Sequence, residues 1–198
     1  LNWVLSSSHV SIEYVVCHHE FTQQAILSQL EKSKISYDLC THGIAQKLFE
    51  TRHLKECIAL VSLRDHKLSC QPTVVLWDLE DPGNIGTIVR TAKALGVEQV
   101  VSFGKDIYSK VSISSSRGAV FNVTAKHFES FEQAFTELSQ LNLQLCATHI
   151  DQGSVLKGIK GITKNFALFL GNETSGLSSQ VVEKADKCIC LPMQNNVD

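Results

Sequence analysis

The chain has 198 residues, enough for one large domain or two modest ones, and 43% of them are hydrophobic, which supports a real core. Its formal charge of −2 excludes a global basic field, so any nucleic-acid contact must come from a local patch. No apolar run approaches the length of a membrane span, so no membrane partner is expected. The chain begins at Leu1 and its one methionine is Met193, so it reads as a fragment, incomplete at the front.

The first 68 residues alternate strand and helix signals. Glu13 to Cys17 reads as a strand, and Thr22 to Lys32 as a helix with Ala25, Ile26 and Leu30 on its apolar face. Ser36 to Cys40 is a short strand, Ile44 to Phe49 a short helix and Cys57 to Leu63 a strong strand. A polar break at Arg64 to Lys67 and a linker at Ser69 to Pro72 put a boundary near residue 70.

The second half alternates more regularly. Strands are expected at Thr73 to Trp77, Val97 to Phe103, Leu143 to Thr148, Phe166 to Leu170 and Lys187 to Leu191. Helices are expected at Ile85 to Leu95, Phe131 to Leu141 and Ser178 to Ala185, the second with Phe131, Phe135, Leu138 and Leu141 as its stripe. Strands separated by helices imply parallel crossovers, hence an α/β doubly wound sheet.

Three loops follow strands at one edge of that sheet: Asp81 to Gly86, Gly171 to Gly176 and Gln194 to Asp198. Open α/β sheets bind ligands there. In the first, Ile88, Ala92 and Leu95 mark the core face of the helix, and Arg90 points away from them near the helix start. The plain reading is an ordinary turn capped by Asn84 and a solvated arginine. In the second loop glycine stands where the backbone must come close to something, with Glu173 just behind. The plain reading there is a helix cap by Thr174 or Ser175, with Glu173 favouring the helix dipole. In the third, Pro192 ends the strand and a polar run follows.

The seven cysteines are odd in number and form no CxxC pair. Buried free thiols in a reducing cytosol account for them, and no metal site is expected. His18 and His19, adjacent on a strand, point to opposite faces and chelate poorly.

Taken together, Asn84 with Gly86 and Arg90, then Gly171-Asn172-Glu173 with Gly176-Leu177, then Leu191-Pro192-Met193, form an ordered set. In order and spacing it resembles the SPOUT superfamily of RNA methyltransferases, SpoU/TrmH branch, across residues 72–198. Less securely, residues 1–68 resemble the small α/β RNA-substrate-binding domain, similar to kink-turn-binding ribosomal proteins, that often precedes the catalytic domain. The resemblance implies a parallel-sheet catalytic domain with a C-terminal trefoil knot. It implies S-adenosyl-L-methionine as cofactor, bound mostly by backbone at Thr148, Leu170, Gly171, Leu191 and Met193. It implies a cytoplasmic homodimer, joined through the catalytic domain, acting on tRNA or rRNA. Family members continue past the Pro-Met segment with a Ser-Leu-Asn stretch, so the chain also reads as incomplete at Asp198.

The implied reaction is methylation of a ribose 2′-hydroxyl, with Arg90 as the catalytic arginine and Asn84 and Glu173 supporting it. Arginine holds its proton far above neutral pH and is a poor base. Arg90 would therefore either act on the hydroxyl directly or orient it and a neighbouring phosphate that relays the proton. One alternative is a non-catalytic RNA-binding relative of the same fold. A remote one is a nicotinamide-dependent oxidoreductase, though Gly83-Asn84-Ile85-Gly86 lacks the full glycine fingerprint. For RNA contacts, Lys105, Lys110, Arg117 and Lys126 are candidates, with Ser114 to Ala119 presenting hydroxyls to phosphate or forming a solvated loop.

Overall fold

Alternating burial along Val10–His18 makes this segment, β1, the centre of a three-stranded sheet. It pairs in parallel with β2 (Tyr37–Cys40) and antiparallel with β3 (Cys57–Leu63). The computed structural model describes residues 2–49, 57–65, 67–150, 154–155, 162 and 164–190. The chain divides into two units, Leu1–Asp65 and His66–Asp198.

In the first unit, β1 starts at Val10 rather than Glu13, because a register irregularity between Ile12 and Tyr14 lets pairing with β3 continue. A short α1 (Asn2–Leu5) precedes it. Helix α2 (Gln24–Lys32) buries Ile26 and Leu30 against Val15, Cys17 and Phe21. Ala25, expected on that face, is exposed, and Leu27 packs there instead. Helix α3 (His42–Phe49) follows β2.

The second unit is built on β4 (Thr73–Trp77), β5 (Gln99–Phe103), β6 (Thr124–Phe128), β7 (Gln144–Thr148), β8 (Ser154–Val155), β9 (Phe166–Leu170) and β10 (Lys187–Cys190). Their order is β6-β5-β4-β9-β7-β10-β8, and every pairing among the described strands is parallel. The helices are α4 (Pro82–Ala94), α5 (Lys110–Ser115), α6 (Phe131–Gln140) and α7 (Ser179–Lys184), with a 3₁₀ turn at Ala119–Asn122. Helix α6 buries Ala134, Phe135 and Leu138 with Phe131 and Leu141 alongside, against Trp77, Val101 and Phe169.

Besides the short α1, β8 and the 3₁₀ turn, two larger elements escape the sequence signals. Strand β6 carries Lys126 and His127 because it is the edge strand and needs little apolar surface. Helix α5 is serine-rich, yet buries Ser112 against α4. The core face of α4 also differs from expectation. Ile85, Gly86, Val89 and Ala92 are buried, Ile88 is only half-buried, and Leu95 ends the helix exposed. The thiols are all free, but only Cys17, Cys40 and Cys146 are buried; Cys57, Cys188 and Cys190 are half-buried and Cys70 is exposed.

Strands β4, β5 and β6 are laid down outward in one direction, and β9 enters on the other side of β4. The order therefore reverses at β4/β9, and such a reversal opens a crevice at the carboxyl ends of the strands. The loops after β4 and β9 flank that crevice. Leu191 and Met193, with the loop from Gln194 to Asp198, lie outside the described residues.

Candidate active site

The chain leaves β4 at Asp78 with a φ of +56°. Asp78 donates its N–H to the Phe103 carbonyl at 2.9 Å, at the end of β5. Helix α4 then starts at Pro82, whose missing N–H suits the first helical turn. Asp81 is its cap, with Oδ1 accepting the Gly83 N–H at 2.7 Å. Asn84, expected as the cap, lies inside the first turn instead, and its side chain reaches across the crevice.

There it meets Glu173. The Asn84 Nδ2 donates to Glu173 Oε1 at 2.9 Å. The same carboxylate accepts the backbone N–H of Glu80 at 3.1 Å and of Asp81 at 3.4 Å. The Asn84 hydrogen bond, with the backbone N–H groups, holds the Glu173 carboxyl below its ordinary value, and partial burial opposes this. Thr174 and Ser175 do not cap α7, whose cap position is Ser178. Their N–H groups bond instead to Asn172 Oδ1 at 2.8 and 2.9 Å. Gly171 is close-packed, but against its own chain: a Cβ there would lie 2.4 Å from the Gly176 carbonyl carbon and 2.5 Å from Leu177 N.

Arg90 is exposed, and among the described residues no hydrogen bond or ion pair engages it. It sits about two turns into α4, not near its start, and about 120° around the helix from Asn84. The fold thus joins Asn84 to Glu173 within one chain and leaves Arg90 apart from them. Thr148 and Leu170 end neighbouring strands at the same sheet edge, with Gly171 next in line. The Thr148 hydroxyl donates to the Phe169 carbonyl at 2.9 Å, so its side chain is occupied by the sheet. Of the basic candidates, Lys105 and Arg117 are exposed, whereas Lys126 is paired with Glu137 at 2.6 Å.

Two contributors were given no role by the sequence. Asn172 stood within the Gly171-Asn172-Glu173 motif without one, and Asp78 was only the polar residue ending an apolar strand. The oxidoreductase alternative fits poorly here. A dinucleotide phosphate needs free N–H groups at the first helix start. Those of Glu80, Asp81 and Gly83 already bond to carboxylates, and Pro82 has none.

Comparison with known proteins identifies the family. The sequence model of the SpoU rRNA Methylase family matches residues 71–198. The chain is 27% identical over 152 residues to the 23S rRNA (guanosine(2553)-2′-O)-methyltransferase RlmP of Bacillus subtilis (strain 168), covering 75% of this chain and 60% of that protein. It is 26% identical over 121 residues to the tRNA (guanosine(18)-2′-O)-methyltransferase of Escherichia coli (strain K12), covering 61% of this chain and 53% of that one. It therefore spans only about half to three-fifths of these relatives. The SpoU methyltransferase AviRb from Streptomyces viridochromogenes, solved in complex with the cofactor AdoMet, shares the fold. Its TM-score is 0.84 at 20% identity, covering 100% of this chain and 79% of that one. By the family match over residues 71–198, the chain belongs to the SpoU rRNA methylase family.

Proposed function

We propose that this chain methylates a ribose 2′-hydroxyl of tRNA or rRNA, with S-adenosyl-L-methionine as donor. The observation that carries the reading is the Asn84–Glu173 bond at the carboxyl edge where the sheet order reverses, inside the family-matched segment. The relatives named for 2′-O-methylation of rRNA and tRNA support it.

Thr148, Leu170 and Gly171, with Leu191 and Met193, would hold the cofactor mainly through backbone groups. The carboxyl ends of adjacent strands suit a nucleoside ligand. When bound, the cofactor supplies an electrophilic methyl group. Arg90 orients the 2′-hydroxyl and an adjacent phosphate through its planar fork of donors, and alignment then does much of the work. Glu173 and Asn84 hold the β4–α4 loop beside the reacting groups. The separation of Arg90 from that pair within one chain is accommodated by a homodimer whose sites are shared between subunits. A C-terminal trefoil knot, an RNA-binding role for residues 1–68 and a cytoplasmic setting complete the reading.

The test is incubation of the protein with labelled S-adenosylmethionine and total RNA from cells lacking it, followed by mapping of the modified nucleotide. Calorimetry runs alongside it. Binding of S-adenosylmethionine with no binding of NAD is expected; the reverse result overturns the reading.

A further inference from the structure

Asn172 spends every polar atom of its side chain, although it has no part in the reading above. It is 8% exposed. Its Nδ2 donates to the Asp78 carbonyl at 2.8 Å, and its Oδ1 accepts the N–H groups of Thr174 and Ser175. Its backbone N–H and carbonyl pair with Gly176 at 3.1 and 3.0 Å, closing the loop on itself.

The partner it grips is unusual. Asp78 has a φ of +56°, a conformation that residues with a Cβ adopt at a cost, though aspartate is among those that tolerate it. Gly104, itself at a φ of +96°, lies against Asp78: a Cβ there would be 2.9 Å from Asp78 Oδ1. The Asp78 N–H is held by Phe103 and its carbonyl by Asn172. Reversed backbone of this kind persists where surrounding contacts over-determine it. From Asp78 the chain turns toward Glu80, Asp81 and Asn84, the groups that Glu173 contacts. Asn172 and Glu173, adjacent in sequence, therefore grip the β4–α4 loop at two points.

We propose that Asn172 is a positioning residue. Through the Asp78 carbonyl it fixes the reversed backbone that presents the Glu80 and Asp81 N–H groups and Asn84 to Glu173. This rests on the methyltransferase reading for its effect on turnover, but the latch itself is independent of that reading.

The informative variant is Asn172→Asp. It keeps the Oδ1 acceptor that closes the 172–176 turn and replaces the donor facing the Asp78 carbonyl with an oxygen. Misplacement of a catalytic loop costs on the order of 100-fold in rate. Expected results are a fall in kcat of about that size and a KM for RNA within about threefold of wild type, the split a positional fault produces. Amide exchange should quicken at Glu80 and Asp81 while the core strands stay protected. Adding Asp78→Gly, which accepts positive φ freely, should restore at least about tenfold of the lost kcat. A merely structural asparagine would lower thermal stability, leave the kcat to KM split unmoved and gain nothing from the glycine. Unchanged exchange at Glu80 and Asp81 in Asn172→Asp overturns the latch. If the wild-type protein transfers no methyl group to RNA, the enzymatic reading fails, and the exchange data still decide the latch.

Discussion

Arg90 is an exposed cation that the fold leaves without a partner among the described residues. A side chain held ready for a substrate group has this character, and it yields the sharpest single-residue prediction. Arg90→Ala should abolish methyl transfer while S-adenosylmethionine affinity by calorimetry stays near wild type. Arg90→Lys should fail as well, because an ammonium lacks the planar donor fork. Near-normal turnover in either variant removes Arg90 from the reaction. Glu173 gives a pH prediction. Its carboxyl is held low in the folded protein, first by the Asn84 hydrogen bond. A depressed folded value stabilises the fold above the ordinary glutamate range, and that contribution is lost as pH falls through the lowered value. Thermal unfolding of wild type against Glu173→Gln should therefore show a gap that is full near pH 7 and closes below about pH 4. A gap independent of pH would mean that Glu173 acts only through packing. The spacing of Asn84, Arg90 and Glu173 was legible in the sequence. Which groups Glu173 binds was not, because they lie up to 93 residues away.

Helix α4 meets α5 at Gly86, and the fit there is tight. A Cβ on Gly86 would lie 2.0 Å from Ser115 Oγ, 2.3 Å from the Ser112 carbonyl oxygen and 2.8 Å from Ser116 N. Two of those three atoms are backbone, so rotating one serine cannot relieve the clash. Gly86→Ala should cost about 1–3 kcal/mol through helix displacement, more than the ~1 kcal/mol gained in helix propensity. A urea midpoint equal to or above wild type would refute this. The packing explains why α5 was hard to read: its buried face is serine, chosen for closeness rather than hydrophobicity. Strand β4 was easy for the opposite reason. All five of its residues are buried, which demands the β-branched and apolar run from Thr73 to Trp77.

At the scale of the whole molecule, the arrangement of the site motivates an assembly. Arg90 and the Asn84–Glu173 pair face different sides of α4, which suits a site completed by a second subunit. Sedimentation at micromolar concentration should show about twice the chain mass of 21.9 kDa. A clean monomer would mean that Arg90 acts, if at all, without a shared site. The sequence alone determined the α/β class, most central strands, the apolar stripe of α6 and the spaced motifs of the family. Each follows from local periodicity or from a short run of residues, so each can be read without knowing what lies opposite. Only the tertiary structure decided the insertion of β9 beside β4, the cap at Asp81, the grip of Glu173 on a loop distant in sequence and the reversed backbone at Asp78. These depend on which surfaces meet, and in a parallel sheet with crossovers the neighbours in space are seldom neighbours in sequence.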